Sequence, residues 1–214
     1  EEMTTFRNLQ EPELEHVLDW AAEEGWNPGL DDTAAFYAAD PSGFFVAQED
    51  GVLQAAISVV NHSDAFAFLG LYIVRPAYRG RGIGYAVWQH ALEHAGTRTI
   101  GLDGVPEQQS NYAASGFEHA GATMRYTGRI RGTLDTDIHL ADAAEVAALI
   151  DMEAQVSGTR KPAYMQAWFR QTANRKTVVA GAADSGRGFC TVRKCRAGAK
   201  IGPLIADDVD TADR

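Results

Sequence analysis

The sequence predicts an α/β fold, and three observations carry that prediction. Residues Ile73 to Gly84 place an apolar strand, a glycine turn and a helix start in direct succession. Across residues 4 to 128, hydrophobic periodicity and breaker residues order the elements as strand, two helices, three strands, helix, strand, helix, strand. The front of that order then recurs after residue 136.

The elements follow from local signals. A short strand covers Thr5 to Leu9. Pro12 then opens a helix whose apolar positions are Leu14, Val17, Leu18 and Ala21, and Gly25 ends it. Residues Glu24 to Leu30 form a loop, and Asp32 or Thr33 caps a second helix through Phe36 and Tyr37. Strands are expected at Phe44 to Gln48 and Leu53 to Asn61, around the Glu49-Asp50-Gly51 turn. The run Phe66 to Val74 is apolar without alternation, the pattern of a central strand covered on both faces. Trp88, Leu92 and Ala95 then mark a helix from Tyr85 that Gly96 stops. A strand at Thr97 to Leu102, a short helix from Pro106 to about Ser115 and a last strand near Met124 to Thr127 complete the series.

The loop between the Phe66 to Val74 strand and its helix has the layout of a phosphate cradle. Glycines let the backbone approach a ligand, and the helix start contributes converging N–H groups and the positive end of its dipole. A Walker A loop requires Lys and then Ser or Thr after its last glycine, but Tyr85-Ala86 stands there. A Rossmann fingerprint requires a third glycine three residues after the second. Counted from Gly80 that position is Tyr85, and counted from Gly82 it is Val87. A glycine-rich hairpin turn does not require the strand, the proline and the helix in this order.

What remains is Val74-x-Pro76 followed by Arg79-Gly80-Arg81-Gly82-Ile83-Gly84, which resembles the acetyl-CoA-binding signature of the GNAT family of N-acetyltransferases. A second element, Tyr112-x-x-x-Gly116-Phe117, resembles the end of the late helix in that family. The element order resembles the GNAT fold over about residues 4 to 128. The resemblance implies a mixed, mostly antiparallel sheet flanked by helices, and an enzyme that uses acetyl-CoA as cosubstrate without a metal.

The resemblance also implies roles. An amine attacks acetyl-CoA directly in a ternary complex, with the N–H of Tyr72 holding the acetyl oxygen and that of Val74 the pantetheine chain. The run Tyr72-Ile73-Val74, the loop from Arg79 to Gly84 and Tyr112 form the implied cofactor contacts, and Asn111, adjacent to Tyr112, is a further candidate contact to CoA. Tyr112 protonates the departing thiolate, a task suited to a phenol held near sulfur. Where the family commonly has Asn, seven positions before Tyr112, this chain has Val105, and where some members carry a strand glutamate it has Phe68. Asp103, at the end of its strand, is the leading candidate base, with His62, Asp64 and Glu24 behind it. Asp103-Gly104 also reads as a turn or cap pair, and a water-mediated route requires no dedicated base. Trp26 and Asn27 are expected to contact the acceptor, Trp26 having a core role as its alternative reading.

Residues 1–130 are expected to form the acetyltransferase domain, and 131–214 an incomplete second GNAT-like domain. Arg129 to Thr136 reads as a linker. Ile138 to Leu140 begins a strand, Asp142-x-x-Glu145 has capping-box spacing, and helices through Ala154 and over Tyr164 to Phe169 follow. Strands near Val178, at Phe189 to Val192 and at Ile201 to Ile205 repeat the earlier order. After Pro203 no glycine signature appears, and Asp207-Asp208 repels phosphate. The second half either continues in a longer natural protein or completes its core by pairing, which gives a homodimer.

Composition bounds the partners. The chain has 214 residues, 45% hydrophobic content and a net charge of −10, which opposes binding to nucleic acid or an anionic membrane and is compatible with a cationic amine. No run approaches the roughly 18 apolar residues of a membrane span, and Glu1 to Thr5 lacks a signal-peptide pattern, so a cytoplasmic location is expected. Cys190 and Cys195 read as ordinary thiols. The acceptor is a small-molecule amine or a protein amine. The rival reading from another class is a noncatalytic CoA-binding or sensing module.

Overall fold

The computed structural model describes residues 4–132, 135–181 and 186–214. Glu1 to Met3, and Thr133 and Leu134 of the expected linker, lie outside the described residues. The first sheet has five strands in the order β1 (Thr5–Asn8), β2 (Phe44–Glu49), β3 (Val52–Asn61), β4 (Phe66–Val74) and β5 (Thr99–Leu102). All its pairings are antiparallel except β4 with β5, which run parallel. Helices α1 (Glu11–Glu23) and α2 (Asp32–Ala39) precede β2, and α3 (Ile83–Leu92) lies between β4 and β5.

The two faces of this sheet close separate cores. Leu14, Val17, Trp20 and Ala21 of α1 pack with Phe44, Val46, Ala56 and Ile73 on one face. Val87, Trp88 and Ala91 of α3 pack with Phe45, Ile57, Val59 and Leu69 on the other. Helix α1 ends in a Schellman motif, with Gly25 at φ +83° and the Trp26 and Gly25 amides donating to the Ala21 and Ala22 carbonyls.

Four expectations are corrected. Strand β4 is fourth of five, and its burial alternates: Ala67, Leu69 and Ile73 are buried while their neighbours are half-buried. Its apolar residues without alternation reflect aromatic packing at a cleft rather than full cover. No strand forms at Met124 to Thr127, because β5 is left as the sheet edge and Met124 and Tyr126 stay exposed. The second helix starts at Asp32, with Asp31 in the N-cap position but making no side-chain cap bond, and the Asp32 side chain is buried. After β5, a 3₁₀ turn at Pro106–Gln108 leads into α4 (Gln109–Ala114), so the expected single helix is divided.

The second sheet is antiparallel, in the order β6 (Ile138–Leu140), β7 (Arg175–Ala180), β8 (Gly188–Lys194) and β9 (Ala199–Ala206). Helices α5 (Val146–Ser157) and α6 (Pro162–Trp168) follow β6, and a short α7 (Val209–Ala212) follows β9. The Asp142 carboxylate accepts from the Glu145 amide while Glu145 accepts from the Asp142 amide, the reciprocal box that the spacing predicts. The repeat extends to irregularities. Leu71 and Tyr72 of β4 both oppose Ile57, and Gly202 and Pro203 of β9 both oppose Thr191, so each sheet carries a bulge at the same place.

Helix α2 belongs to both halves. Ala35 enters the core built by Val146, Leu149, Met165 and Trp168, and Phe36 stacks on Trp168 with centroids 5.9 Å apart. At its start Asp32 is buried and accepts from Arg175, from Arg193 and from the Gly29 amide. Asp31 accepts from Thr172 Oγ1 at 2.6 Å and from Asn174 Nδ2 at 3.0 Å, bonds that lower its pKa. Both arginines lie over the Trp168 ring. Removing one member of such a buried cluster strands the others. Asp32→Ala is therefore expected to lower unfolding stability by about 3–5 kcal/mol, read from urea titrations.

A second seam contact joins His62, after β3, to Tyr164 of α6 at 5.7 Å between centroids, and His62 also stacks on Phe66. Burial first and nearby Lys161 second lower the His62 pKa to about 4, with Asp40 opposing both. The unfolded chain therefore takes up this proton first as pH falls from the ordinary imidazole value of 6.5. His62 contributes its share of stability above about pH 6.5 and loses it on the way down to about pH 4. Replacing it (His62→Gln) should flatten that limb of stability against pH, and an unchanged limb in denaturation midpoints would count against the assignment.

Candidate functional site

The site begins where β4 loses a neighbour. Pairing with β5 stops at Leu69 opposite Leu102, so from Gly70 onward β4 is bonded on its β3 side alone. The Arg75 amide donates to the Gln54 carbonyl at 3.0 Å, on that side. Strand alternation turns the polar groups of Val74, and of Tyr72 two residues earlier, to the open edge. Consistent with this, the Val74 carbonyl accepts from Arg79 Nε at 2.8 Å. Leu71, within the bulge, holds φ +47°, a left-handed value rare for a branched residue.

The glycine loop runs from this edge into α3. Gly80 at φ +76° and Gly82 at φ +78° occupy the left-handed region, Gly82 being the residue that caps α3. Gly84 is required for space: a Cβ there would meet Tyr72 Oη at 2.8 Å and Val74 Cγ2 at 2.9 Å. The backbone is thus brought against β4, with the unpaired N–H groups of the first turn of α3 available to an anionic ligand. Arg79 is held by protein on two sides, since it also pairs with Glu24 at the end of α1. Arg75 lies over Trp20 and Arg81 over Tyr78, both exposed.

Tyr72, Trp88, Tyr112 and Phe117 form an aromatic cluster beneath the open edge. Trp88 contacts the Tyr72 ring at 5.3 Å and stacks on Tyr112 at 5.8 Å. Burial raises the pKa of both phenols, Tyr72 further through Tyr112, so each keeps its proton at neutral pH. Tyr112 packs over Gly104, where a Cβ would lie 2.8 Å from its ring. This brings the late helix to the end of β5, beside Asp103.

Asp103 is exposed and accepts from Thr123 Oγ1 at 3.3 Å. Asn111 is exposed, with Nδ2 donating to Gln108. Asp64 is exposed beside Arg98, and His62 lies in the seam between the halves. Asn27 is turned away from the cluster: its side chain donates to the Ala197 carbonyl and accepts from the Ala197 amide. The Trp26 carbonyl accepts from Lys200, and the Trp26 side chain is partly exposed at that junction. Glu24, Trp88 and Gly104 acquire positions that spacing alone did not show. Among the described residues no group of three or more His, Cys, Asp or Glu could hold a metal ion, and no helix is long and apolar enough to cross a membrane. Cys190 and Cys195 are free thiols.

Comparison with known proteins agrees with the geometry. Residues 6–117 match the acetyltransferase (GNAT) family, and residues 149–214 match an acetyltransferase (GNAT) domain. The chain is similar to holothin acyltransferase of Pseudoalteromonas sp. (strain SANK 73390), 31% identical over 204 residues that span 94% of this chain and 69% of that protein. Its fold is similar to that of a putative acetyltransferase from Pyrococcus horikoshii, with TM-score 0.71, 19% identity and coverage of 98% of this chain and 73% of the other. A GCN5-related N-acetyltransferase from Kribbella flavida gives TM-score 0.57 and 16% identity over 99% of this chain and 59% of its own.

The close approach at Gly84 provides a test of the cradle. Gly84→Val drives its side chain against Tyr72 and Val74, and should weaken acetyl-CoA binding by about a hundredfold or more, about 2.7 kcal/mol, while far-UV circular dichroism keeps its wild-type form. Unchanged affinity in calorimetry would refute the assignment.

Proposed function

The chain belongs to the GNAT acetyltransferase family, and from that membership we propose that it transfers the acetyl group of acetyl-CoA to an amine by direct attack within a ternary complex. The observation that carries this reading is the meeting of three features: the open edge of β4, the glycine turn into α3, and a protonated Tyr112 phenol beside them. The cradle fits a diphosphate, since it offers backbone N–H groups at a helix start and a close approach that a Cβ at Gly84 would block. Acetyl-CoA supplies an activated thioester. The catalytic domain in this reading is 1–130, with 131–214 as a second GNAT-like domain.

In this reading the Tyr72 N–H faces the acetyl oxygen, where negative charge grows during attack, and Val74 holds the pantetheine chain. The glycine turn and α3 take the diphosphate, with Arg79 fixing the turn to β4. A neutral amine forms the new C–N bond as the C–S bond breaks. Tyr112 gives its phenolic proton to the sulfur, and its burial among Trp88 and Phe117 keeps that proton available. The amine's own proton passes to water or to Asp103, the carboxylate at the end of β5. Acceptor contacts fall to the face of the cleft near Trp26, with Asn27 fixing the loop backbone.

The test is thiol release from acetyl-CoA with a panel of amines that includes holothin, the compound in the relative's name, and peptide amines. Turnover with any of them supports transfer, and tight binding without turnover across the panel supports a noncatalytic CoA-binding module instead. Given turnover, Tyr112→Phe should lower kcat by about 10²–10⁴ with acetyl-CoA affinity retained. Equal kcat in the variant would remove Tyr112 from its role.

A further inference from the structure

The hairpin joining β8 to β9 reaches across to the end of α1. Lys200 Nζ donates to the Trp26 carbonyl at 2.6 Å, Ala197 exchanges two bonds with the Asn27 side chain, and the Leu30 amide donates to the Lys194 carbonyl at 2.9 Å. Arg196 pairs with Asp19 on α1 itself. Trp26 is not a loose loop residue, because its amide closes the Schellman motif by donating to Ala21. Lys200 therefore grips the helix cap rather than a free strand of chain.

The same cap reaches the glycine turn from its other side. Glu24, the C-cap residue of α1, pairs with Arg79, whose Nε bonds the Val74 carbonyl on the open edge of β4. Trp20, one turn earlier in α1, lies under Arg75. A half-exposed ion pair such as Glu24 with Arg79 contributes little stability by itself. Its consequence is geometric: a long side chain that could sample many rotamers is given one.

We propose that the β8–β9 hairpin is a positioning element for the acyl-CoA cradle, acting through Lys200 on the α1 cap and through Glu24 on Arg79. Glu24 and Lys200 are positioning residues and touch no reacting atom. The functional consequence rests on the acyl-CoA reading of the glycine turn, whereas the mechanical coupling does not.

Amide hydrogen exchange and acetyl-CoA calorimetry on the full chain test it. Lys200→Met should quicken exchange in residues 24–31 and also in 79–84, and raise the acetyl-CoA Kd about tenfold, 1.4 kcal/mol. Lys200→Arg, which keeps a donor on a long stem, should restore both. Glu24→Gln should quicken exchange at 79–84 and raise Kd similarly while 24–31 keeps its protection. Protection in β2 and β3 that matches wild type shows that each variant is folded. If Lys200→Met loosens 24–31 and leaves 79–84 and Kd unchanged, the hairpin is only a seam and the proposal fails. A wild-type chain that does not bind acetyl-CoA overturns the acyl-CoA reading instead, and the coupling of the two stretches in exchange still decides the mechanical part.

Discussion

The candidate site depends on one constraint, that β4 carries backbone polar groups which no strand satisfies. A buried peptide group without a partner costs free energy, so an unpaired stretch inside a sheet persists only where the edge is open and the flanking structure is fixed. The bulge at Leu71 and Tyr72 sets two residues against Ile57, and β5 ends at Leu102 instead of following β4 further. The remainder is arranged around the opening. Arg79 takes up the Val74 carbonyl, Gly84 lets α3 start against the strand, and Gly104 lets the Tyr112 ring lie across the end of β5.

The two halves are joined by a different kind of interaction. Apolar contact between α2 and α6 brings them together, through Phe36, Trp168 and Tyr164. Direction is set by charge, because Asp32 can receive Arg175 and Arg193 together in one relative placement of α2 and the second sheet. Buried ion pairs contribute little net stability compared with apolar packing, yet they penalise every misaligned alternative strongly. With Trp168 in contact with both arginines and with Phe36, the seam combines area with registry.

Local signals made much of this legible in the sequence. Gly25 ends α1 because a left-handed cap requires it, Asp142 and Glu145 close their box, and the glycines at 80, 82 and 84 stand at two positive φ values and one close approach. These are contacts within a few residues, where spacing determines geometry. The burial of β4 was not legible, since an apolar run looks the same whether aromatic side chains fill a core or line a cleft. Met124 to Thr127 has strand-forming residues but no partner strand, and propensity yields to that absence. The places of Asn27, Asp32 and Glu24 depend on partners such as Ala197, Arg193 and Arg79 far along the chain, and no periodicity encodes such pairings.

The shared bulge separates the two halves chemically. Where the first sheet has Tyr72 as its second bulged residue, the second has Pro203, and proline carries no amide hydrogen. A donor that the first edge can turn outward therefore has no counterpart in the repeat, whatever side chains surround it. The second half thus shares the bulged strand geometry of the first without that donor, and its Arg175 and Arg193 serve instead to hold α2 in place.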